Sequence, residues 1–428
     1  MNENLLQPED VKTLESRAAS IYSPAPWLTM AAAVLLIIGI VGFVAALRIS
    51  PGRAWGAFLA NFLFWTGLSA ASMAIVATFN IAHSWWGRTV QRIISPLSAF
   101  LPFSLIGLLI LWLGRNNLYW WVSDPERPMW LSSVPGVFLR DALVILVMAV
   151  ISVWVLYRET RVDMGAMVEA GRLRREGLAA RLTKNWRGDE PEQLKTQRFM
   201  RTISPVIIAV YALGFTVLSF DLEMSIAHHW QSSMFPGIYW LGQFYAAFGT
   251  TALLIALWRR RAPVEEVISS HNLMDLGNML WGSCIFWAYV NWAQYFVIWM
   301  GNLPHEAAWH IARWRTQPWE GLAFIMLAVV FVAPFILLFN RLLKRQTLAL
   351  AAVGILGIVG VLLQRFLHVM PSVATLGPTD YGLAEVTVTL GFLGAVALPY
   401  LWVVRRVPLF PIEDPLFIKA VATRGVKV

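Results

Sequence analysis

Ionisable and amide side chains interrupt the long apolar runs of this 428-residue chain. In a bilayer such groups are costly unless they are paired or hydrated, so each is a candidate for function. Carboxylates and imidazoles exchange protons near neutral pH, and the chemistry indicated is therefore proton transfer. The candidates fall into three groups along the apolar runs. Near the ends on one face of the membrane are Asp141, Asp221, Glu223, His228 and His229. Near the ends on the opposite face are His83, Asp275 and Asn278, and between the two faces are Asn291 and Gln294.

Structural roles compete with proton transfer at these positions. Asp141 and the arginine before it can cap a helix in the headgroup region, and Asp221 with Glu223 can form an acidic pair at the membrane surface. Asn291 and Gln294 can be hydrogen-bonding contacts between helices. The residue types alone leave both interpretations open.

Two polar pairs share one apolar run. Asp275 and Asn278 are three residues apart, as are Asn291 and Gln294, so each pair lies on one helix face. The 13 residues from Asn278 to Asn291 leave the pairs about 140° out of phase. Any proton path between the pairs therefore needs neighbouring helices or water.

Cofactor ligands are scarce in the sequence. The single cysteine, Cys284, cannot hold an iron–sulfur cluster or attach a haem covalently. The seven histidines lie near the predicted ends of apolar runs or between them, whereas a membrane b-type haem needs two on opposed helices. We expect no redox centre bound by this chain alone.

The apolar runs themselves predict a polytopic membrane protein. Hydrophobic residues make up 58% of the chain and charged residues only 14%, against about a quarter in soluble proteins. A bilayer-crossing helix needs about 20 apolar residues. About ten such spans are predicted: Trp27–Leu47, Ala54–Ala82, Pro96–Gly114, Val137–Tyr157, Ile203–Phe220, Gly237–Trp258, Leu273–Met300, Gly321–Asn340, Thr347–Leu367 and Leu383–Val404.

Loop charges predict the orientation of these spans. The side that holds both termini carries 26 of the 34 Lys and Arg residues, and this excess predicts that both termini lie in the cytoplasm. The expected location of the protein is the bacterial cytoplasmic (inner) membrane. The net charge of +9 is spread over these loops, so no nucleic-acid partner is expected. Residues 1–26 lack the basic start of a cleavable signal peptide.

The long loop 158–202 has a rough helical stripe of apolar residues among 11 basic residues. This pattern is typical of a helix that lies on anionic lipid, and a docking surface for a partner subunit is the alternative. Trp55-Gly56 and Trp240-Leu241-Gly242 open the second and sixth spans, a weak sign of a parallel internal repeat.

Two stretches resemble a known family. They read SFDLEMSIAHHWQSSMFPGIY from Ser219, and DLGNMLW from Asp275 followed by FWAYVNWAQYFVIWMGNLPHE from Phe286. They are similar to the NrfD/PsrC-like membrane subunits of bacterial alternative complex III, most of all to the ActF type. His228 and His305 depart from that pattern. The matching positions are Asp221, Met224, Ser225, His229, Trp230, Ser233, Tyr239, Asp275, Tyr289, Gln294, Tyr295, Trp299, Asn302, Pro304 and Glu306.

The resemblance implies two four-helix bundles flanked by one helix at each end. The expected divisions are an N-terminal segment 1–26, a flanking helix 27–53, a first bundle 54–221 with loop 158–202, a second bundle 222–368, a flanking helix 369–404 and a tail 405–428.

The implied function is that of a non-redox subunit in a quinol:cytochrome c (or similar periplasmic carrier) oxidoreductase. The subunit would scaffold the complex, conduct protons or contact quinone. Haems and iron–sulfur clusters would lie in partners, namely a second NrfD-like subunit, an iron–sulfur subunit and multihaem cytochrome subunits. Lipid is the remaining expected partner.

Two alternatives remain open. The chain itself could bind and oxidise quinol, with Asp221, Glu223 and His229 as proton acceptors. It could also be an independent secondary transporter for an ion or solute, although no matching pair of short, broken spans supports this.

Overall fold

The computed structural model describes residues 21, 24–228, 230–260, 263–373, 382–412 and 414–422. Within these ranges the regular structure is helical, with short 3-10 and π turns and no β-strand. Nine helices in the described part of the chain are long and apolar enough to cross a membrane. The prediction of an all-α polytopic membrane protein is therefore confirmed.

The helices follow the predicted spans closely in number and order. Three shorter helices carry no label below. In chain order the labelled helices are α1 (Pro26–Ile49), α2 (Pro51–Ile81), α3 (Trp85–Leu118), α4 (Val134–Glu169), α5 (Asp189–Ile226), α6 (Phe235–Trp258), α7 (Ser270–Gly301), α8 (Pro304–Trp314), α9 (Trp319–Phe339), α10 (Thr347–Val373), α11 (Leu383–Val404) and α12 (Pro415–Ala422).

Helix α7 corresponds to the seventh predicted span but is not among the nine apolar helices. Its 32 residues are long enough to cross a bilayer core about 30 Å thick. Asparagine, aspartate, glutamine and tryptophan side chains interrupt its apolar surface and lower its hydropathy.

Two prolines near the predicted starts of the third and fifth spans lie inside longer helical segments. Helix α3 begins at Trp85, where the Ser84 hydroxyl accepts a hydrogen bond from the Gly87 amide, and Pro96 lies further along the same span. Pro205 lies inside α5, which begins at Asp189. Membrane helices tolerate internal proline because neighbouring groups satisfy the freed carbonyls.

Loop 158–202 is mostly helix that packs within the chain. Helix α4 continues to Glu169, the short helix Gly177–Leu182 follows, and α5 then begins. Met164 and Leu182 are buried together with Val407 from the C-terminal segment. The buried part of the apolar stripe therefore contacts the chain itself rather than a lipid surface.

The helices contact one another in two rings of four and one pair. Helices α2, α3, α4 and α5 form the first ring, and α6, α7, α9 and α10 form the second. Helices α1 and α11 pack on each other and on α2 and α3 of the first ring. Below, the far side is the side where α5 ends and α6 begins, and the terminus side is where α11 ends.

Glycines bring α1 and α11 into close contact. A Cβ atom on Gly39 would lie 2.2 Å from the Cα of Gly391, and one on Gly394 would lie 2.4 Å from the Ala32 carbonyl oxygen. Such small residues let membrane helices approach closely enough for dense packing. The pairing of the first and last spans therefore depends on these glycines.

Replacing Gly391 with Leu should destabilise the α1–α11 pair, because the side chain meets backbone atoms that cannot move aside. Overpacking of this kind costs about 1–3 kcal/mol. Thermal unfolding of the purified chain in detergent would measure the loss. Gly282→Leu is the matched control, because a Cβ there meets nothing within 4 Å. Equal stability of the two variants would contradict the prediction.

Candidate functional site

A cavity of about 920 Å³ opens in the far-side half of the second ring. It lies between α7, α9 and α10 of that ring and the connecting helix α8. Its volume falls within the range of about 300–1,000 Å³ typical of small-ligand pockets. Aromatic side chains form much of its wall, including Trp287, Tyr289, Trp292, Tyr295, Trp309, Trp314, Phe324, Phe331 and Phe335. The polar lining consists of Asn291, Gln294, His310, Arg313, Arg315, Glu320, Gln364 and His368.

A buried ion network forms behind this wall. Glu223 lies at the far-side end of α5, and its carboxylate oxygens accept hydrogen bonds of 2.7 and 2.6 Å from Nη1 of Arg365 on α10. Both side chains are fully buried. His368 lies three residues further along α10, on the same helix face, and its Nδ1 is 2.9 Å from a Glu223 oxygen.

His368 connects the network to the cavity. Its ring lines the cavity wall, whereas its Nδ1 faces the Glu223 carboxylate. An ionised carboxylate can only accept a hydrogen bond, so in neutral His368 the proton belongs on Nδ1. Nε2 is then the basic nitrogen that remains for a ligand in the cavity.

Amide side chains extend the network along the wall. Arg365 donates to the Gln364 Oε1 (3.1 Å), which also accepts from the indole of Trp287 (2.9 Å). Gln364 donates in turn to the Asn291 Oδ1 (2.9 Å), and Asn291 donates to the Trp287 carbonyl oxygen (2.8 Å). The predicted candidates Glu223 and Asn291 therefore belong to one hydrogen-bonded network.

Arg313 on α8 supplies a second buried cation at the cavity. It donates to the carbonyl oxygens of Trp309 (3.0 Å) and His368 (2.6 Å) and to the hydroxyl of Ser372 (2.8 Å). No carboxylate in the described ranges forms an ion pair with it. Burial lowers the pKa of Arg313 to about 9. Its positive charge is thus only partly compensated by carbonyl dipoles.

His310 lies one helical turn away from Glu306 on α8 and also lines the cavity. Neither ring nitrogen has a hydrogen-bond partner among the described residues. Burial, with the nearby charge of Arg313, lowers the pKa of His310 to about 4. At neutral pH the ring is therefore uncharged, and its one donor and one acceptor nitrogen are buried without a partner among the described residues.

A second polar cluster lies on the far side of the first bundle. Arg140 forms a bidentate ion pair with Asp221, beside a cavity of about 600 Å³. Asp141 takes no part in this ion pair: its carboxylate is fully buried and has no hydrogen-bond partner in the described residues. A fully buried carboxylate argues against the alternative in which Asp141 caps its helix in the headgroup region.

Gln294 links the two far-side cavities. Its Oε1 accepts a hydrogen bond of 3.2 Å from the hydroxyl of Ser232, which lines the smaller cavity, while Gln294 itself lines the larger one. His228 lies nearby in the loop after α5 and packs edge-on against Trp120. His229 falls outside the described residues.

The remaining predicted candidates lie on the terminus side. Asn278 accepts a hydrogen bond of 2.9 Å from the ammonium group of Lys344, whose pKa is lowered by burial. Asp275 is partly exposed near the start of α7. The 13 residues from Asn278 to Asn291 span about 20 Å of helix. The terminus-side pair therefore takes no part in the far-side network.

His83 lies beside a different terminus-side cluster. It lines a cavity of about 260 Å³ together with Glu159 and Asp163, and Arg92 forms an ion pair with Asp163. Gln91 donates to Glu159 (3.3 Å). These buried charges neutralise one another within the cluster.

Sequence reasoning missed Arg365, His368, Gln364 and Arg313 as site residues. The partner of Glu223 is 142 residues away, and nothing in one sequence pairs the two. One signal was present: Gln364, Arg365 and His368 stand together in an otherwise apolar span. An arginine at membrane depth is functional or paired as a rule.

No family model matches the chain, and no curated protein matches it. The family resemblance drawn from the two sequence stretches stays a prediction.

Replacing Arg365 with Met should leave Glu223 as an uncompensated buried charge and cost about 3–5 kcal/mol of stability. The double variant Glu223→Gln, Arg365→Met should lose less than Arg365→Met alone, because no unpaired charge remains. Denaturant unfolding of the purified chain would measure both. Arg345→Met, at an exposed arginine, is the control. A double variant no more stable than the single one would contradict the coupling.

His310 should make the fold acid-sensitive. Its pKa is about 4 in the folded chain and ordinarily about 6.5, so the unfolded chain binds more protons between these values. Stability is then fully present above about pH 6.5 and falls toward pH 4, by on the order of 2–3 kcal/mol. His310→Gln should remove much of this loss, as measured by unfolding across that pH range. His305→Gln, an exposed histidine on the same helix, should not.

Proposed function

We propose that this chain is the non-redox membrane subunit of a quinol oxidoreductase complex in the bacterial cytoplasmic membrane, and that its far-side cavity binds the quinol headgroup. The observation that carries the proposal is the His368–Glu223 pair at the wall of an aromatic cavity. The sequence resemblance supports the same class of complex, which passes electrons to cytochrome c or a similar periplasmic carrier.

Quinol oxidation releases two protons and two electrons. Iron–sulfur and haem groups would be held by the partner subunits, which are a second NrfD-like subunit, an iron–sulfur subunit and multihaem cytochrome subunits, and would take the two electrons. This chain supplies an acceptor for one of the two protons: Nε2 of His368 accepts a hydroxyl proton while Glu223 orients the ring through Nδ1, and the second proton passes to water. Arg365 holds the carboxylate in place.

The other cavity groups suit the oxidised headgroup. Quinone carbonyl oxygens need hydrogen-bond donors. Arg313 and His310 line the same wall, and their buried, unpaired nitrogens would become such donors after a small rotation of either side chain. The aromatic side chains provide flat apolar surface for the ring. Binding of both redox forms thus uses donors on α8 and an acceptor on α10.

A lateral opening supports entry from the bilayer. Helices α7 and α9 contact each other chiefly along Ala328–Phe339, in the terminus-side half of α9. In the far-side half the cavity separates them, and Tyr289, Trp292 and Phe324 on its rim are more than half exposed. A ligand with a long apolar tail can reach the cavity without leaving the membrane.

Quinone binding to the purified full-length chain tests the site. A short-chain quinone should bind to the wild-type chain. The double variant His368→Gln, Arg313→Gln should bind it about tenfold or more weakly, because two buried hydrogen-bonding groups are lost. Tryptophan fluorescence quenching measures the binding. Exposed His305 and Arg345, changed to Gln together, provide the control. Absence of quinone binding to the wild-type chain would remove the headgroup site.

Partner recovery tests the assignment to a complex. Affinity purification from native membranes should bring down subunits that contain haem and iron–sulfur clusters. Recovery of the chain alone would contradict the assignment. Solute or ion flux by the isolated chain in liposomes would instead favour an independent transporter.

A further inference from the structure

A second large cavity lies outside both helix rings. It is a groove of about 1040 Å³ on the terminus side, between the α1–α11 pair and the α3–α4 face of the first bundle. Its wall is mainly apolar, with Leu36, Phe103, Val153, Leu156, Ala395 and Leu398 along its length. Phe103 and Val153 are about half exposed, so the groove faces the hydrocarbon region laterally.

The groove has a cationic end. Arg405 and Arg406 lie just after the last residue of α11 and line the groove with Tyr157 and Trp402. Within the described ranges, Arg405 donates only to the Ala25 carbonyl oxygen at 3.4 Å, and Arg406 only to that of Trp402 at 2.9 Å. Among the described residues, no carboxylate lines the groove or pairs with either arginine.

The dimensions match one leaflet of a bilayer. From Ala395 to Arg406 the groove follows 11 residues of helix, or about 16 Å. The hydrocarbon core is about 30 Å thick, so this length covers about half of it. Leu178 and Leu182 of the short helix Gly177–Leu182 line its terminus-side end as well. Since Phe103 and Val153 are about half exposed, the groove is open toward the lipid side.

We propose that this groove is a binding site for one anionic phospholipid, with its phosphate on Arg405 and Arg406 and its acyl chains between α1, α3, α4 and α11. The apolar wall fits the chains, and the two arginines, which have no carboxylate partner among the described residues, fit a negative headgroup. Trp402, whose ring lies under the Arg406 guanidinium at 4.3 Å, has the interfacial position typical of tryptophan. The lipid fills the space between the α1–α11 pair and the first bundle.

Lipid titration of the delipidated full-length chain, followed by native mass spectrometry, tests the site. Phosphatidylglycerol should bind more tightly than phosphatidylcholine with the same acyl chains. The double variant Arg405→Gln, Arg406→Gln should bind phosphatidylglycerol about 30-fold more weakly, given the attraction of each basic residue to anionic lipid. The control Arg341→Gln, Arg345→Gln removes two terminus-side cations away from the groove and should change binding by no more than about twofold.

A second variant separates the groove from a merely basic surface. Ala395→Phe fills the apolar part without changing any charge and should also weaken phosphatidylglycerol binding. Equal loss in both arginine double variants, equal affinity for the two lipids, or unchanged binding in Ala395→Phe would each overturn the proposal. So would a cross-link from position 103 to a partner protein, because a protein would then occupy the groove.

Discussion

One buried ion pair fixes the arrangement on which the candidate site depends. Glu223 ends the last helix of the first ring, and Arg365 belongs to the last helix of the second ring. Neither side chain contacts solvent, so each charge is stable there only while the other is present. The position of α10, and of His368 on it, therefore depends on a contact between the two rings.

Hydrogen bonds to backbone carbonyls reinforce this connection inside the molecule. The hydroxyl of Tyr239 on α6 donates to the Leu63 carbonyl of α2, and that of Tyr211 on α5 donates to the Trp240 carbonyl of α6. Almost every residue of α2 is buried, since helices of both rings and α1 and α11 surround it. In an apolar medium each unmet polar group is costly, and such bonds make the packing specific.

Polar clusters occupy both sides of the membrane-crossing region but remain separate. The far-side network joins Glu223, Arg365, His368, Gln364 and Asn291. The terminus-side clusters contain the Arg92–Asp163 ion pair and the hydrogen bond from Lys344 to Asn278. Apolar and aromatic residues of α7 lie between, including Cys284 and Trp281. The chemistry that the far-side network supports is local proton acceptance at a cavity.

The sequence by itself determined the class of fold, because an apolar run of about 20 residues is stable in a bilayer as a membrane-spanning helix. It also placed Glu223, Asn291 and Gln294 among the functional candidates, because polar groups in such runs are costly. Helix ends were less predictable: at Pro96 helix α3 changes to a 3-10 turn, Ser95–Phe100, and then continues, and Pro205 lies inside α5.

Only the tertiary structure decided which candidates act together. Glu223 and Arg365 are 142 residues apart, and Arg140 pairs with Asp221 whereas its neighbour Asp141 has no hydrogen-bond partner among the described residues. Pairing across helices depends on rotation and packing, which the apolar pattern does not encode when helices are apolar on most faces. The sequence therefore specified which buried polar residues needed a partner. The packing of α5 against α10 decided which residue that partner is.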